Sequence, residues 1–221
     1  MRTSIVIPAY NRYDLLHQLL FDLYKNCLDD IDEVIVVNDA STEDGFENGL
    51  RDFWFKQGHL PLKLKSLSKN VGFLKAANKG MAEADGDVLC LISTDVLIKT
   101  NIIRRVKESL LMNQKQLIGN RLINFDSGWN TFNGKTFPYV EGWFLACTKD
   151  AWKDVGGFDE IYAPADFEDV DLSTTFESKG YSLCGMNNSL VTHIGAQTYG
   201  YNPERESITR ANQKKFEAKW V

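Results

Sequence analysis

No stretch rich in proline, glycine or serine interrupts the 221 residues of this chain, and its four cysteines include no CxxC pair. Without such a linker, a chain of this length is expected to fold as one compact domain. The cysteines are widely spaced and three of them lie among apolar residues, so we expect buried thiols in a reducing cytosol rather than disulfides. With 43% hydrophobic and 25% charged residues, the composition is that of a globular protein with a sizeable core.

Basic residues are outnumbered, since 25 lysines and arginines stand against 30 acidic residues and the formal net charge is -5. Neutralising the phosphates of a nucleic acid requires a basic face that this composition does not supply. We therefore expect no nucleic-acid partner, whereas a small anionic ligand held locally is compatible with the charge.

Long apolar runs are missing as well. Runs such as Val88–Ile92 are far too short to span a bilayer. Met1–Ser4 leads directly into a strand-like segment, without the apolar region or the cleavage site of a signal peptide. The sequence therefore predicts a cytoplasmic protein.

Short apolar segments alternate with amphipathic segments through the first half of the chain. Strands are predicted at Ser4–Ile7, Glu33–Val37, Leu62–Leu67 and Asp87–Ile92. Helices are predicted at Tyr13–Tyr24, Phe73–Ala84 and about Ile102–Met112. This alternation is typical of an α/β fold with a mostly parallel sheet and helices on its faces.

The second half of the chain has fewer predicted helices. Strands are predicted at Leu117–Phe125, Tyr139–Cys147, Tyr181–Gly185 and Leu190–His193, and a helix from about Asp169 to Lys179. Gly180 suits the end of that helix because glycine adopts the left-handed cap conformation at little steric cost. The basic amphipathic stretch Ile208–Trp220 predicts a further helix, which either rests on a membrane or packs on the domain.

Ligands of open α/β sheets bind beyond the carboxyl ends of the strands, so the residues that follow the predicted strands are the first candidates for a site. Asp39 follows the second strand, where its carboxylate can accept the imide N–H of uracil or thymine, cap a helix or close an Asx turn. Asn70-Val71-Gly72 precedes a helix whose N-terminus suits a phosphate, and Lys75 lies one turn further on. Gly80 either belongs to this site or permits close helix packing.

Asp95 and His193 each follow or end an apolar strand and form a candidate pair of metal ligands. The phosphates of a nucleoside diphosphate are bridged by a hard divalent cation, which prefers carboxylate oxygens. The alternatives are structural: Asp95 caps the next helix, and a lone histidine on an apolar strand is more often a satisfied structural residue.

The densest acidic cluster is Asp166–Asp171, directly before a predicted amphipathic helix. The helix macrodipole favours acids in a first turn, and this stabilisation alone can explain them. Four acids in six residues exceed what a cap needs, so Glu168 and Asp169 are candidates to hold acceptor hydroxyls and to remove a proton. Trp143 offers an aromatic face for a sugar ring, with burial in the core as the alternative.

Taken in order, these segments resemble family 2 glycosyltransferases, which have the GT-A fold, and especially their rhamnosyltransferase-like branch. The resemblance covers most of the chain, and its carriers are Ser4–Arg12, Val36–Ser41, Asn70–Phe73, Asn78–Gly80 and Phe167–Leu172. It implies a single GT-A domain, in which a nucleotide-sugar-binding half (about residues 1–98) precedes an acceptor-binding and catalytic half (about residues 99–221).

The resemblance also implies a donor site and a metal site. The donor site would consist of Pro8, Ala9, Tyr10, Asp39, Asn70, Gly72, Thr94 and Asp95. The aspartate at position 39 would read the base of a UDP- or dTDP-linked sugar. The family's metal-binding Asp-x-Asp element aligns with Ser93-Thr94-Asp95, so that its last carboxylate is retained and its first is replaced by serine. Asp95 and His193 would hold Mn²⁺ or Mg²⁺.

The same resemblance implies an inverting enzyme. Asp169 would deprotonate the acceptor hydroxyl, which attacks the anomeric carbon opposite the leaving diphosphate. From their residue types, Glu168 and Trp143 are the candidates to bind the acceptor. A glycan or a lipid-linked glycan of polysaccharide biosynthesis is the expected acceptor, and a peripheral membrane contact is one option.

Two alternative functions stay open. One is an inactive nucleotide-sugar or glycan-binding module, for which Ser93 would be the first sign of lost activity, and the other is a sugar nucleotidyltransferase. The second is disfavoured because Pro8–Arg12 lacks the glycine-rich triphosphate loop of such enzymes.

Overall fold

A seven-stranded sheet forms the centre of the molecule in the computed structural model, which describes residues 1–57, 60–195 and 203–221. In chain order the strands are β1 (Thr3–Ala9), β2 (Glu33–Asn38), β3 (Leu62–Ser66), β4 (Val88–Ile92), β5 (Val96–Ile98), β6 (Gln116–Gly119), β7 (Leu122–Ile123), β8 (Thr131–Phe132), β9 (Lys135–Thr136), β10 (Tyr139–Val140), β11 (Phe144–Thr148), β12 (Ser182–Gly185) and β13 (Val191–His193). The helices are α1 (Tyr13–Cys27), α2 (Phe46–Gln57), α3 (Phe73–Glu83), α4 (Ile102–Met112), α5 (Lys149–Val155), α6 (Glu168–Ser178) and α7 (Pro203–Trp220).

The strand order of the main sheet is β12-β6-β11-β4-β1-β2-β3, and the sheet is mostly parallel, as predicted. Strands β4, β1, β2 and β3 run parallel, β11 is antiparallel to its neighbours β4 and β6, and β12 is parallel to β6. The chain starts in β1, moves outward to β3 and then crosses to β4 on the other side of β1. This reversal opens a crevice beyond the carboxyl ends of β1 and β4, where open α/β sheets bind ligands.

Helices cover both faces of the sheet because the side chains of its central strand alternate in direction. Ile5 and Ile7 of β1 pack in one buried cluster with the leucines of α1, whereas Val6 packs in the other cluster with α3. All seven residues of β1 are buried, so the strand that leads into the crevice is fixed on both faces.

Two long strands predicted in the second half are each broken in two. Leu117–Phe125 divides into β6 and β7, and Tyr139–Cys147 divides into β10 and β11. Asn120 is buried between β6 and β7, where its amide donates to the carbonyls of Asn188 and Val191 instead of continuing the strand. β7 then pairs with β10 in a separate two-stranded sheet. Local apolar residues predicted the strands, but they could not predict the hydrogen bonds of Asn120, whose partners lie about 70 residues further along the chain.

The sequence interpretation missed α2 and β5. β5 pairs antiparallel with β13, and in this register Val96 lies opposite His193. The pairing brings the end of β13 to the carboxyl end of β4, from which β5 follows directly.

The C-terminal helix, predicted over Ile208–Trp220, begins at Pro203. Its Phe216 is fully buried and contacts the rings of Phe132 and Phe137, so α7 packs on the domain through this side chain. No helix among the described residues is long and apolar enough to cross a bilayer.

Of the two roles predicted for Gly80, membership of the site and close helix packing, the structure agrees with the second. A Cβ at this position would lie 2.4 Å from Val6 Cγ1 and 2.8 Å from Val37 Cγ2, so only glycine lets α3 approach β1 and β2 this closely. We predict that Gly80→Ala lowers the free energy of unfolding by about 1–3 kcal/mol in urea denaturation, because the added methyl overpacks the core. A variant as stable as the wild type would contradict this packing role.

Candidate active site

A cleft of about 1010 Å³ occupies the crevice beyond the carboxyl ends of β1, β2 and β4. Twelve of the residues predicted for the site line this one cleft, whereas Lys75 and Gly80 do not. The twelve residues are Pro8, Ala9, Tyr10, Asp39, Asn70, Gly72, Thr94, Asp95, Trp143, Glu168, Asp169 and His193. Their individual roles remain predictions, and the geometry around each of them bears on its chemistry.

Asp39 joins the end of β2 to the loop before α3. Its carboxylate accepts the backbone N–H groups of Val71 and Gly72, each at 2.8 Å, and its own N–H donates to the carbonyl of Ala9 at 2.8 Å. The side chain is only 3% exposed, yet it lines the cleft. A carboxylate has about four acceptor positions, so two stay available for the N–H of a base. Asp39 thus shapes the loop and still offers an acceptor.

The N-terminus of α3 faces the cleft through Gly72 and Phe73. Gly72 has φ +84°, a conformation that L side chains rarely adopt, and it precedes the helix without a side-chain cap. The first-turn N–H groups that a cap would have satisfied are therefore suited to an anion such as phosphate. Lys75 does not share this role, because it is absent from the cleft lining and its Nζ lies 3.8 Å from Glu160.

Asp95 and His193 meet in the cleft as predicted. The Nε2 atom of His193 lies 3.1 Å from Oδ1 of Asp95, and the backbone N–H of Ile194 donates to the Asp95 carbonyl at 2.9 Å. The indole of Trp143 stacks on the imidazole, with ring centroids 5.2 Å apart and planes at 15°. The β5–β13 pairing and this stack fix two potential ligands, one oxygen and one nitrogen, side by side.

Asp95 and His193 alone would give a small divalent cation two protein ligands, so a cation here would also need oxygens of a diphosphate. No group of three or more histidine, cysteine or acidic side chains that could hold a metal occurs within residues 1–57, 60–195 and 203–221. Ser93 also lines the cleft, and according to the resemblance it replaces the first carboxylate of the family's Asp-x-Asp element. An ion would therefore take most of its remaining ligands from phosphate oxygens and water.

Glu168 and Asp169 open α6 at the wall of the cleft. Oδ2 of Asp169 accepts the N–H of Gly142 at 3.2 Å, and its Oδ1 accepts the N–H of Val170 at 2.9 Å. Oε2 of Glu168 is buried and has no hydrogen-bond partner. Burial, together with the charge of the neighbouring carboxylate, raises the pKa of Glu168, and burial also raises the pKa of Asp169.

This asymmetry decides which carboxyl group carries the negative charge. Two N–H donors stabilise an ionised Asp169, whereas an ionised Glu168 would leave a buried charged oxygen without a partner. Near neutral pH the arrangement therefore favours a proton on Glu168 and a charge on Asp169. A carboxylate with a raised pKa is suited to act as a general base.

The other two acids of the cluster are engaged in structural contacts. Asp166 accepts from Arg205 and Thr209 of α7. Asp171 is buried and accepts from Tyr162 Oη at 3.1 Å and Trp220 Nε1 at 2.7 Å. Their geometry agrees with the interpretation of positions 166 and 171 as structural and leaves Glu168 and Asp169 for the chemistry.

The aromatic lining differs from the sequence prediction. One face of the Trp143 ring is covered by His193, and its Nε1 donates to Glu141 Oε2 at 3.0 Å, so this ring is less open to a sugar than expected. Trp129, which the sequence interpretation missed, also lines the cleft and is 46% exposed. Arg205 of α7 was missed as well and lines the same cleft.

Comparison with known proteins identifies the class of protein that this fold and cleft define. The model of glycosyl transferase family 2 matches residues 4–167, and the chain belongs to this family. A GT-A fold and a glycosyltransferase site were the predictions from the sequence, and the family and the fold are confirmed. Its assignment to the rhamnosyltransferase-like branch stays a prediction.

The relatives are glycosyltransferases from bacteria and archaea. The chain is 32% identical over 201 residues to the uncharacterized glycosyltransferase YwdF of Bacillus subtilis, covering 91% of this chain and 65% of YwdF. It is 27% identical over 124 residues to a dolichol-phosphate mannosyltransferase of Pyrococcus furiosus, covering 56% of this chain and 34% of that protein. The chain thus spans less than two thirds of these relatives.

Solved structures share the fold. A mannosyltransferase from Pyrobaculum calidifontis, PcManGT in complex with GDP-Man and Mn²⁺, superposes with a TM-score of 0.75 at 21% identity, covering 96% of this chain and 61% of that one. TarS residues 1–349 of S. aureus in complex with UDP-GlcNAc gives a TM-score of 0.66 at 18% identity, covering 96% and 65%.

We predict that Asp39→Ala weakens the binding of UDP or dTDP compounds by roughly tenfold or more, because a hydrogen bond to a charged group is worth about 1.5–3 kcal/mol. Isothermal titration calorimetry measures the loss, with N3-methylated UDP, which lacks the imide N–H, as the matched ligand. A loss confined to the unmethylated nucleotides assigns Asp39 to the base, and an equal loss for the methylated one assigns it to the loop that it shapes. Unchanged affinity in a folded variant would remove Asp39 from the site.

Proposed function

We propose that this chain is a glycosyltransferase that moves a sugar from a UDP- or dTDP-linked donor to an acceptor hydroxyl of a glycan or lipid-linked glycan. Transfer inverts the anomeric carbon in a single displacement, with Asp169 as the general base. The observation that carries the proposal is the pairing of Asp169 with Glu168 in a cleft that also holds Asp39, Asp95 and the start of α3.

The donor end of the cleft suits a nucleoside diphosphate. Asp39 offers its remaining acceptor positions to the N–H of a pyrimidine base, and the N-terminus of α3 offers N–H groups to phosphate. Asp95 and His193 would hold Mn²⁺ or Mg²⁺, which when bound stabilises the negative charge that develops on the leaving diphosphate. PcManGT and TarS, with GDP-Man and UDP-GlcNAc, support a nucleotide-sugar donor, and the pyrimidine base is our inference from Asp39.

The other end of the cleft suits the acceptor. Asp169 accepts the proton of the acceptor hydroxyl as that oxygen attacks the anomeric carbon from the side opposite the diphosphate. Glu168, carrying its proton, donates a hydrogen bond to an acceptor oxygen and thereby satisfies its buried Oε2. One displacement requires one base, which agrees with a single carboxylate that is stabilised as an anion.

We infer a cytoplasmic location and a role in polysaccharide biosynthesis, in which a lipid-linked acceptor would be reached at a membrane surface. Phe216 of α7 is buried in the domain, so this side chain does not take part in such a contact. The specificity for an acceptor is therefore assigned to the cleft.

Two rival functions lead to different measurements. An inactive binding module would bind a nucleotide sugar without releasing nucleoside diphosphate. A sugar nucleotidyltransferase would need a triphosphate-binding loop after β1, whereas Asn11 here is committed to the backbone N–H groups of Thr42 and Glu43. This contact favours transfer over nucleotide activation.

A thermal-shift screen of nucleotide sugars tests donor binding, with and without Mn²⁺. A ligand at about 100 times its dissociation constant adds roughly 2.7 kcal/mol of stability, which corresponds to a rise in Tm of about 5–10 °C for a chain of this size. We expect the largest rise with UDP- or dTDP-sugars in the presence of Mn²⁺. A shift with GDP-sugars only would overturn the assignment of the base, and no shift with any donor would overturn the function.

Trp129 is the aromatic platform that we assign to the acceptor. Its loop is held by the buried Asn130, whose side chain accepts from Ser127 N at 2.9 Å and donates to the Phe137 carbonyl at 3.0 Å. We predict that Trp129→Ala raises the acceptor KM by about 3- to 10-fold and leaves donor affinity intact, since an aromatic contact of this kind is worth about 0.5–1.5 kcal/mol. Phe125→Ala is the matched control, because Phe125 is 56% exposed but does not line the cleft. Equal KM values for the two variants would contradict the platform.

A further inference from the structure

The C-terminal helix α7 begins at the rim of the cleft, beyond residues 4–167 that the family model covers. Pro203, Arg205, Glu206 and Thr209 of this helix line the cleft together with the Asp166–Asp169 segment. The helix is therefore part of the site. Its contacts with the Asp166–Asp169 segment, which we call the catalytic loop, show what it contributes.

The segment before α6 adopts an unusual backbone conformation. Asp166 and Phe167 have φ values of 70° and 71°, in the left-handed region that is uncommon for residues other than glycine. Two such residues in succession persist only where the surroundings determine them. They directly precede Glu168 and Asp169, so their conformation sets the direction in which both carboxyl groups point.

The contacts that hold this conformation come from α7. The guanidinium of Arg205 donates two parallel hydrogen bonds to the carboxylate of Asp166, from Nη2 to Oδ1 at 2.7 Å and from Nε to Oδ2 at 3.1 Å. Thr209 Oγ1 donates a third hydrogen bond to Oδ2 at 2.6 Å. Asn212 is 1% exposed, and its Nδ2 lies within 2.7–3.1 Å of the carbonyls of Tyr162, Ala165 and Asp166. The side chain and the backbone of the left-handed turn are thus both fixed by one helix.

We propose that α7 is a brace for the catalytic loop, and that Arg205 is a positioning residue that holds Asp166 so that Asp169 faces the acceptor. This role rests on the proposed function, in which Asp169 is the base. The two-bond geometry between guanidinium and carboxylate fixes direction as well as distance, which a lysine at the same position would not do.

The ion pair between Arg205 and Asp166 also affects the electrostatic environment of Asp169, the proposed base. The charged or titratable groups that face Asp169 are Glu168 on α6, Glu141 after β10, Tyr139 on β10, Asp166 on the loop and Arg205 through its bond to Asp166. Asp166 contributes to raising the pKa of Asp169, and Arg205 offsets that charge. We therefore expect loss of the Asp166 charge to lower the pKa of Asp169, and loss of Arg205 to raise it by leaving the charge of Asp166 without its partner.

Arg205→Gln and Arg210→Gln form a matched pair on one helix, because Arg210 pairs with Glu206 and makes no contact with the catalytic loop. We expect Arg205→Gln to lower kcat by about 10- to 100-fold at unchanged donor affinity, the loss typical of a misplaced catalytic group. Arg210→Gln should stay near the wild type, and Arg205→Lys should fall between. Weaker donor binding with unchanged kcat would overturn the brace and make Arg205 a donor ligand, and equal kcat values for the two glutamine variants would also overturn it.

The pH dependence of kcat separates positioning from a general loss of structure. The acid limb should move to higher pH in Arg205→Gln and to lower pH in Asp166→Asn, because the two changes alter the charge near Asp169 in opposite directions. If the acid limbs of both variants coincide with the acid limb of the wild type, the proposal is contradicted.

Hydrogen exchange tests the brace without turnover, so that its failure is distinguishable from a failure of the proposed function. The N–H of Asp171, which donates to the Phe167 carbonyl at 2.9 Å, should exchange faster in Arg205→Gln than in Arg210→Gln. Equal exchange in the two variants would overturn the brace even if the wild type transfers a sugar. Absence of transfer by the wild type, with faster exchange in Arg205→Gln, would overturn the function and leave α7 as a structural brace.

Discussion

Asp169→Asn is expected to lower the turnover of sugar transfer by about 10²–10⁴-fold, the usual loss when a general base is removed. The asparagine keeps the size of the side chain and an oxygen that can accept from Gly142 or Val170, but it has no basic lone pair for the acceptor proton. Donor affinity should therefore survive. Steady-state kinetics together with calorimetric donor binding measures both quantities.

Two neighbouring carboxyl groups provide the comparison for Asp169. Glu168→Gln keeps a hydrogen-bond donor in place of the protonated acid, so we expect its main effect in the acceptor KM. Asp171→Asn should lower stability more than turnover, because Asp171 bonds Tyr162 and Trp220 away from the base. Near-normal turnover in Asp169→Asn would end its assignment as the base, and a larger loss at Asp171 would move the role there.

The pH profile gives an independent test of the same base. Burial raises the pKa of Asp169, and a base must be deprotonated to act. Activity should therefore fall as the pH drops below neutral, well above the ordinary range of an aspartate. A profile that stays flat down to about pH 4 would show that the acting group has an unshifted pKa.

Asp95→Asn is the second substitution with a large expected effect. Within the part of the chain that the structure describes, Asp95 is the only acidic side chain that we assign to the cation, because the resemblance places Ser93 where the family has its other carboxylate. An amide is a poor ligand for a hard cation, and charge stabilisation by a bound cation is worth several kcal/mol, so we expect Mn²⁺-dependent transfer to fall by at least about 10²-fold. His193→Gln should reduce the same dependence by less, because His193 supplies the neutral ligand.

The control for the cation site is nucleotide binding in EDTA. Wild type and Asp95→Asn should bind UDP alike in EDTA, and only the wild type should bind it more tightly when Mn²⁺ is added. An equal gain from Mn²⁺ in both proteins would place the cation elsewhere. A wild type that transfers sugar equally well in EDTA would remove the metal from the reaction, with Ser93 as the evident structural reason.

The order of the motifs predicts the donor side of the cleft because Tyr10, Asp39 and Asp95 each follow a strand of the main sheet. In a mostly parallel sheet the ends of β1, β2 and β4 meet at one edge, so residues as distant in sequence as Tyr10 and Asp95 line one cleft. His193 joins them only through the β5–β13 pairing, which the sequence did not predict. Here the chemical requirement for a second ligand predicted the proximity of His193 to Asp95.

The remaining differences have tertiary causes. The apolar residues of Leu117–Phe125 predict one strand, but the buried Asn120 interrupts it and donates to the carbonyls of Asn188 and Val191. The basic amphipathic pattern of α7 is the same for a helix on a membrane and a helix on a domain. Only contacts such as Arg205 with Asp166 distinguish them. Trp129 was missed because a lone aromatic in a loop has no local pattern that indicates a cleft.

Release of nucleoside diphosphate by the wild-type chain is the measurement that tests the central claim most directly. The assay combines Mn²⁺, the donor that gives the largest thermal shift, and a panel of glycan and lipid-linked acceptors, with Asp169→Asn alongside. We predict release that depends on acceptor, accompanied by a glycoside of inverted anomeric configuration, and at least about 10²-fold less release from the variant. Tight donor binding without release in the presence of any acceptor, or equal release from wild type and variant, would contradict the account.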